Sequence, residues 1–331
     1  MKQYMKFITD KNYRWIYTYD YAPDSVWEEW RSDTGGSDWI DPEADAVAER
    51  VRAYDGNGSI PAFILLADSH FTYNGTWDDT LASMKALAER LDLRGIIHLG
   101  DMTDGLLSLG KTKEIEQKVI SDMESIGIPL YLTVGNHDYN YFRGNPGIKY
   151  PEPLRYYKDL NDDGLRLIII DSFDPKEGVR YGFNGYTIYW LDETLKYMPE
   201  GYRALILSHL TPLVRLQAWT SNIRNREGLI EVLDRHAGKI IAFINGHNHC
   251  DHLFNDLNNG QFPIISINCA KCEYFTEHKP EGAVVPFRRL GDRTQESYDI
   301  MQVDAGKNEV RFTRFGAGQD RMVKDHRAFW V

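Results

Sequence analysis

Short apolar runs recur along the chain, and each ends in a cluster of polar residues. The runs occupy residues 61–67, 94–100, 130–135, 165–171, 203–208, 239–245 and 263–268. Continuous apolar runs of this length, bounded by turn-forming residues, predict buried strands. The polar clusters therefore lie just past the carboxyl ends of predicted strands, which is where open α/β sheets assemble their binding sites.

Apolar residues at helical spacing follow two of these runs. The first set comprises Trp77, Leu81, Met84, Ala88 and Leu91. The second set comprises Ile115, Val119, Met123 and Ile126. Each set predicts an amphipathic helix, with Thr76 as the N-cap of the first and with Gly127 and Pro129 ending the second. Farther along, residues 298–303 and 309–315 predict a closing hairpin.

Three segments depart from this alternation of strands and helices. Residues 1–57 are interpreted as an N-terminal extension that packs on or beside a domain of residues 58–331. The extension holds four of the eight tryptophans, namely Trp15, Trp27, Trp30 and Trp39. Residues 139–164 and 273–297 are predicted to be long irregular loops, and loops of that length are usually functional or disordered.

The net charge of −11 argues against non-specific binding to nucleic acid or to an anionic membrane. The chain has no apolar stretch long enough to cross a bilayer, and its first residues lack the apolar core of a signal peptide. We therefore expect a cytoplasmic protein without a membrane partner. The three cysteines do not indicate a disulfide framework.

The polar clusters at the strand ends are rich in side chains that bind metal ions. They offer Asp68, His70, Asp101, Asn136, His209, His247 and His249, all of them oxygen or nitrogen donors. Taken singly, each residue has an ordinary structural explanation. Taken together, seven donors exceed the shell of one ion and suit two ions that share a carboxylate. Mixed Asp, His and Asn ligands favour Mn, Fe, Zn or Mg over Cu(I) or an iron–sulfur cluster.

In their order and residue types, these clusters resemble the five motifs of calcineurin-like metallophosphoesterases. The matching stretches are Asp68-Ser69-His70, Gly100-Asp101-Met102-Thr103-Asp104, Gly135-Asn136-His137-Asp138, His209 and Gly246-His247-Asn248-His249. The resemblance spans residues 61 to 270. It implies an α/β (α+β) fold, a four-layer αββα sandwich of two mixed β-sheets flanked by helices. The dimetal site would lie at the carboxyl ends of the strands.

The resemblance also implies which residues hold each ion. The first ion would be bound by Asp68, His70, Asp101 and His249. The second would be bound by Asp101, Asn136, His209 and His247. Asp101 would then bridge the two ions. The glycines that precede three of the motifs would let the backbone turn tightly, so that the next side chain points at the ions; these are Gly100, Gly135 and Gly246.

Three further residues receive roles from the same resemblance. His137 would stabilise the transition state or protonate the leaving alkoxide, and Asp138 would orient its imidazole. Asp104 would orient a metal ligand. Purple acid phosphatases have a tyrosine ligand at the position of Asp104, so a redox-active iron–tyrosinate centre is not expected here.

The implied activity is hydrolysis of a P–O bond in a small phosphodiester or phosphomonoester by a hydroxide that bridges two divalent ions. The diester is the favoured substrate and Mn the favoured metal. Two alternatives stay open. One is a nuclease of the same family, although the acidic balance argues against duplex DNA. The other is a non-catalytic metal-binding scaffold, although inactive members of the fold usually lack motif residues that this chain retains.

Residues outside the motifs are also candidates for substrate contacts, although each has an ordinary structural explanation. Aromatic side chains that could stack on a base or sugar are Tyr139, Tyr141, Phe142, Tyr156 and Tyr157. Arginines that could bind a phosphate or carboxylate are Arg143, Arg180, Arg288 and Arg289. His98 is expected to pack within its strand, and Cys269 and Cys272 are expected to be buried apolar residues rather than a metal or redox site.

Overall fold

The computed structural model describes residues 8–10, 13–15, 37–56, 58–71, 76–105, 109–139, 154–173, 181–220, 222–255 and 261–331. The helices in these residues are α1 (Ile40–Asp55), α2 (Trp77–Arg90), α3 (Leu109–Glu124), α4 (Gly185–Lys196) and α5 (Arg226–Arg235). The first strands are β1 (Ile8–Asp10), β2 (Tyr13–Trp15), β3 (Ala62–Leu66), β4 (Leu93–His98), β5 (Leu130–Leu132), β6 (Arg155–Leu160), β7 (Leu165–Ile170) and β8 (Arg203–Ser208). The remaining strands are β9 (Ile240–Asn245), β10 (His252–Phe254), β11 (Ile264–Ser266), β12 (Ser297–Asp304), β13 (Glu309–Gly316), β14 (Arg321–Lys324) and β15 (Arg327–Trp330).

Two large mixed sheets form the centre of the fold. The seven-stranded sheet has the order β15-β14-β13-β12-β3-β4-β5, and β3, β4 and β5 run parallel within it. The six-stranded sheet has the order β10-β11-β9-β8-β7-β6, and β11, β9, β8 and β7 run parallel. In the six-stranded sheet the antiparallel pairs lie at the two edges, and in the seven-stranded sheet the parallel strands form one end, so the parallel strands of each sheet present their carboxyl ends together.

Strand β3 is apolar throughout because its side chains alternate between two cores. In β3, Phe63 and Leu65 belong to the core between the two sheets, whereas Ile64 and Leu66 belong to the core under α1, α2 and α3. Helices α4 and α5 cover the outer face of the six-stranded sheet through a third core. The layers are therefore helix, sheet, sheet and helix, and the predicted four-layer sandwich is confirmed.

Helix α1 lies within the range assigned to the N-terminal extension, and it packs in the same core as α2 and the seven-stranded sheet. Its Arg50 is paired with Asp320 at 2.6 Å, and the ring of Trp39 lies 6.3 Å from that of Phe315. A domain boundary at residue 57 stays a prediction. The side chains of the other three tryptophans of the extension lie outside the described residues. No helix in the described part of the chain has the length and apolar character needed to span a bilayer.

Most of the elements predicted from the pattern are present, with two differences. Residues 155–160, predicted to be part of an irregular loop, form strand β6 at an edge of the six-stranded sheet. The hydrophobic pattern does not indicate this strand, because its side chains are half-buried or exposed. Thr76 occupies the N-cap position of α2, but its hydroxyl makes no capping hydrogen bond. The predicted hairpin is formed by β12 and β13.

A network of four fully buried charged side chains joins the two sheets. Asp251, next to β10, accepts hydrogen bonds from Arg314 on β13 and Arg321 on β14, each at 2.5 Å. Asp299 on β12 contacts the same two guanidinium groups, with Arg314 Nε at 3.2 Å from its Oδ1. All four residues have relative exposures of 1% or less. Because Asp251 follows His249 by two positions, the network also anchors the loop that carries His247 and His249.

Candidate metal centre

The predicted ligands converge where the carboxyl ends of strands from both sheets meet. The loops after β3, β4 and β5 of the seven-stranded sheet carry Asp68, His70, Asp101 and Asn136. The loops after β8 and β9 of the six-stranded sheet carry His209, His247 and His249. Main-chain pairing continues past the strand ends, since Asp68 N–H donates to Gly100 O at 2.9 Å and His70 N–H donates to Asp101 O at 3.0 Å. The loops are therefore held by backbone bonds rather than by the side chains alone.

Asp68, His70, Asp101 and His249 form a first cluster, whose donor atoms all lie within 4.8 Å of one another. His249 Nε2 lies 3.3 Å from Asp68 Oδ1 and 3.0 Å from His70 Nε2. His70 Nε2 lies 3.6 Å from Asp101 Oδ2. Two carboxylates and two imidazoles thus direct their donor atoms to one point.

A second cluster contains Asp101, His209 and His247, again within 4.8 Å. His209 Nε2 lies 3.1 Å from His247 Nδ1 and 3.3 Å from Asp101 Oδ2. The same oxygen, Asp101 Oδ2, therefore faces both clusters, while Oδ1 accepts a hydrogen bond of 2.8 Å from His137 N–H. Asn136 precedes His137 and so lies beside this shared carboxylate.

The spacing of both clusters and one unsatisfied atom beside the second fit divalent ions. Two ligands bound to one ion at about 2.1 Å and at right angles are about 3.0 Å apart, which matches the imidazole pairs of both clusters. Among the described residues, the buried Asn136 Oδ1 has no hydrogen-bond partner. Unpaired polar atoms are costly inside a protein, so such atoms call for an explanation such as an ion or a ligand. The donor set of carboxylate, imidazole and amide suits the predicted metals.

The backbone at the centre adopts conformations that side chains other than glycine rarely take. Of the ten non-glycine residues with positive φ in the described chain, five are predicted ligands. They are Asp68, His70, Asp101, His247 and His249, with φ between 41° and 68°. Left-handed conformations at such residues cost free energy and are found most often at functional sites. The loops therefore hold these side chains at the expense of backbone strain.

Of the three motif glycines, one allows the predicted tight turn and the other two serve a different purpose. Gly100 has a φ of +91°, as a tight turn requires. Gly135 and Gly246 do not have positive φ, and they are needed because other atoms approach their backbones closely. A Cβ on Gly135 would lie 2.0 Å from Asp101 Oδ1, and one on Gly246 would lie 2.7 Å from Asp68 Oδ2. These glycines make room for the carboxylates of the two clusters.

The carboxylates and imidazoles strongly affect one another's ionisation. Burial opposes charging of the His209 ring, but Asp101 and Asp68 outweigh it and raise the pKa of His209 to about 9. Burial is likewise outweighed by Glu273 and Asp68 at His249, whose pKa also rises to about 9. Burial opposes ionisation of Asp101 as well, yet the neighbouring His209 holds its pKa well below the usual value. Anionic carboxylates therefore dominate the centre and attract cations.

His137 belongs to neither cluster but lies at their edge. Its Nδ1 is 2.6 Å from the carbonyl oxygen of Asp104, which fixes that nitrogen as the donor. Its Nε2 is then directed toward Asp101 Oδ2, 3.9 Å away. The side chain keeps 20% of its surface exposed, and burial of the remainder lowers its pKa to about 4. The ring can therefore reach a substrate that enters the centre.

Asp138 makes contacts other than the predicted one with the imidazole of His137. Its Oδ2 accepts hydrogen bonds from the N–H groups of Asp101 and Gly135, both at 2.8 Å, and its Oδ1 accepts one from Thr103 N–H at 3.2 Å. Asp138 thus ties together the loops after β4 and β5, and the carbonyl of Asp104 orients His137 instead. Burial, together with the charge of Asp101, raises the pKa of Asp138 to about 7.

Asp104 contacts His70, one of the predicted ligands. Two more residues at the centre, Lys271 and Glu273, were not among the residues predicted from the sequence. Asp104 Oδ1 lies 3.2 Å from His70 Nδ1 and 3.2 Å from Lys271 Nζ. Glu273 Oε1 lies 2.5 Å from His249 Nδ1. Lys271 and Glu273 belong to a segment without regular structure after β11. No spacing or strand-end pattern distinguishes them from other surface charges.

Most of the remaining candidates have structural contacts. Arg288 is fully buried and donates to four main-chain carbonyls, including that of Cys269 at 3.0 Å, so the suggestion that it binds substrate is wrong. His98 is buried at the end of β4 and lies 3.1 Å from Ser69 Oγ. Tyr139 donates to Asp171 at 2.6 Å. Buried side chains include Cys269 and Cys272, which are not in a disulfide. Candidates outside the described residues are Tyr141, Phe142, Arg143 and Arg180.

One solved structure shares this arrangement of sheets and helices, and a second aligns more weakly. A dimetal phosphatase from Danio rerio aligns with a TM-score of 0.58 at 16% identity, covering 80% of this chain and 99% of that chain. GAP50, described as the anchor in the inner membrane complex of Plasmodium, aligns with a TM-score of 0.48 at 13% identity, covering 80% and 90% of the two chains. At these identities the likeness concerns the fold.

Sequence comparison identifies the family to which the fold belongs. No curated protein matches the chain. The calcineurin-like phosphoesterase family matches residues 61–251, more than half of the chain, and this stretch holds all seven predicted ligands. The chain is therefore a member of the calcineurin-like phosphoesterase family.

Proposed function

We propose that this protein is a dinuclear metal-dependent hydrolase of a small phosphodiester or phosphomonoester. The observation that carries the proposal is the pair of donor clusters that share Asp101 within a phosphoesterase fold. The first ion is held by Asp68, His70, Asp101 and His249. The second is held by Asp101, Asn136, His209 and His247. Manganese is the favoured metal, since the donors are a mixture of hard oxygens and imidazole nitrogens.

Two divalent ions bound by these residues would supply electrostatic stabilisation of the phosphoryl oxygens and would lower the pKa of a water nucleophile. The chain itself supplies orientation. The hydrogen bond from Nδ1 to the Asp104 carbonyl fixes the His137 ring, so that Nε2 faces the reacting group. The ring would act as the imidazolium, whose Nε2 also carries a proton: it stabilises the transition state or passes that proton to the leaving oxygen. Asp138 keeps the loops after β4 and β5 in register through three main-chain N–H groups.

The proposed preference for phosphodiesters is tested with chelator-stripped protein to which Mn²⁺ is added back. Bis(p-nitrophenyl) phosphate and p-nitrophenyl phosphate report the two reaction types. We expect metal-dependent cleavage of the diester, which would direct the search to cyclic nucleotides and to glycerol- or sugar-linked diesters. Cleavage of the monoester alone would make the protein a phosphatase. Two bound ions without turnover of either substrate would favour the interaction scaffold.

Replacing His209 with alanine is expected to weaken binding of the second ion by at least about tenfold and to leave the first ion nearly unaffected. His209 contributes to the second cluster alone, where its Nε2 faces Asp101 and His247. Metal content after dialysis and calorimetric titration with MnCl₂ would measure the effect. His236→Ala is the control, because this ring contacts Asp192 on the helical layer, at 2.7 Å. Unchanged stoichiometry in His209→Ala would refute the ligand assignment.

A further inference from the structure

The segment from Lys271 to Lys279, here called the clamp segment, lies against the loops that carry the first cluster. Its main chain begins beside Asp68, whose carbonyl accepts a hydrogen bond of 3.1 Å from Lys271 N–H. At its other end, Lys279 Nζ donates to the carbonyl of Asn248 at 2.6 Å, between the two histidines of the last motif. The clamp segment is therefore attached to both sides of the cluster.

Between these ends, two charged side chains of the clamp segment act on the first cluster. Glu273 Oε1 lies 2.5 Å from His249 Nδ1, the nitrogen that faces away from the cluster. Lys271 Nζ lies 3.2 Å from Asp104 Oδ1, and that oxygen lies 3.2 Å from His70 Nδ1. The side chains of Lys271, Asp104 and Glu273 keep 15%, 7% and 13% of their surface exposed, so water does little to weaken these contacts.

The result is that both imidazoles of the first cluster are held from behind by a carboxylate. Their Nε2 atoms face each other at 3.0 Å, and each Nδ1 is engaged by Asp104 or Glu273. A carboxylate that accepts the second ring N–H of a metal-bound histidine fixes the tautomer and the ring orientation and makes the ligand more basic. Loss of such a partner typically costs about 10–100-fold in metal affinity.

The second cluster is oriented by a different part of the chain. His209 Nδ1 lies 2.7 Å from the main-chain carbonyl of Leu99, directly after β4. A carbonyl carries no charge, and its position is fixed by the sheet. The histidines are therefore held differently: a carboxylate lies behind each of His70 and His249 at the first site, and a main-chain carbonyl lies behind His209 at the second.

We propose that Glu273 and Lys271 are positioning residues that set the affinity of the first metal site, Glu273 through His249 and Lys271 through Asp104 and His70. The inference rests on the proposed function of the clusters as metal sites. It predicts that substitutions in the clamp segment, which contains none of the seven predicted ligands, change the affinity of one ion and not of the other.

The test is calorimetric titration of chelator-stripped protein with MnCl₂, for wild type and Glu273→Leu. We expect Glu273→Leu to weaken one of the two sites by about 10–100-fold and to leave the other within a few-fold of wild type. Glu273→Gln should recover part of the loss, because its amide oxygen still accepts the Nδ1 proton of His249. Glu277→Gln, an exposed glutamate of the same segment, is the matched control. A spin-coupled Mn signal in the wild type should give way to that of isolated ions in Glu273→Leu.

A double-mutant cycle identifies which site is affected. The loss caused by Glu273→Leu should persist in a His209→Ala background and disappear in a His249→Ala background. Lys271→Met tests the second arm independently, should Glu273→Leu fail to fold. Wild-type protein that binds no divalent ion would overturn the proposed function itself. Two ions bound by the wild type, with unchanged affinities in the folded Glu273 or Lys271 variant, would overturn this inference alone.

Discussion

Substitution of His137 by alanine is expected to lower the turnover of phosphoesters by about 10²–10⁴-fold while two metal ions remain bound. The ring belongs to neither donor cluster, and its Nδ1 is used by the Asp104 carbonyl at 2.6 Å. Its Nε2 lies 3.9 Å from the shared oxygen of Asp101, and 20% of the side chain is exposed to an incoming substrate. Removing it takes away transition-state stabilisation without removing a ligand.

The measurement combines kcat and KM on the aryl diester with metal content of the same preparation. We expect kcat and kcat/KM to fall together, because the lost interaction is made in the transition state. His98→Ala is unsuitable as a control because the His98 ring lies buried under the motifs. His236 lies on the helical layer, so His236→Ala should leave the rate unchanged. An equal fall in bound metal and in rate would show that His137 holds an ion, and the division of roles would be wrong.

Replacing Arg321 with methionine is expected to lower the free energy of unfolding by about 3–5 kcal/mol. Its guanidinium is fully buried and contacts both Asp251, at 2.5 Å, and Asp299. Methionine fills similar space but leaves two buried carboxylates with one cation, Arg314, between them. The cost comes mainly from these uncompensated charges rather than from the lost contact itself.

Urea unfolding followed by circular dichroism measures the change. Arg311→Met is the matched control, because Arg311 lies on the neighbouring strand β13 and pairs with Asp320 at 3.2 Å with 21% of its side chain exposed. Partly exposed pairs contribute about 0–1 kcal/mol, so the control should lose little stability. Similar losses in both variants would contradict the special cost assigned to the buried network.

Much of the fold was predictable because a strand that is buried on both faces has apolar residues at nearly every position. The run around Phe63, Ile64 and Leu65 is apolar at every position because alternate side chains enter different cores. Edge strand β6 lacked that signal, since its residues are half-buried or exposed. Its pairing with β7 depends on the sheet being present, so a local pattern could not reveal it.

Within the centre, the donor residues were predictable from the sequence, but the residues that position them were not. Asp68, His70 and Asp101 stand at strand ends with spacings that the chemistry of two ions requires, and the structure brings them together with the histidines of β8 and β9. The contacts of Asp138 were not predictable, because adjacency in sequence to His137 says nothing about which main-chain N–H groups its carboxylate meets in space.

By itself, the sequence indicated the buried strands, the polar residues that follow them and the seven predicted donors, because these depend on local burial and on residue chemistry. The tertiary structure alone decided which residues hold those donors in place. Glu273 reaches His249, and Lys271 reaches Asp104, across 24 and 167 positions of the chain. Arg288 was a candidate for a substrate contact, but in the structure it is fully buried and donates hydrogen bonds to main-chain carbonyls. Contacts between distant segments depend on how the two sheets pack, and no local pattern encodes them.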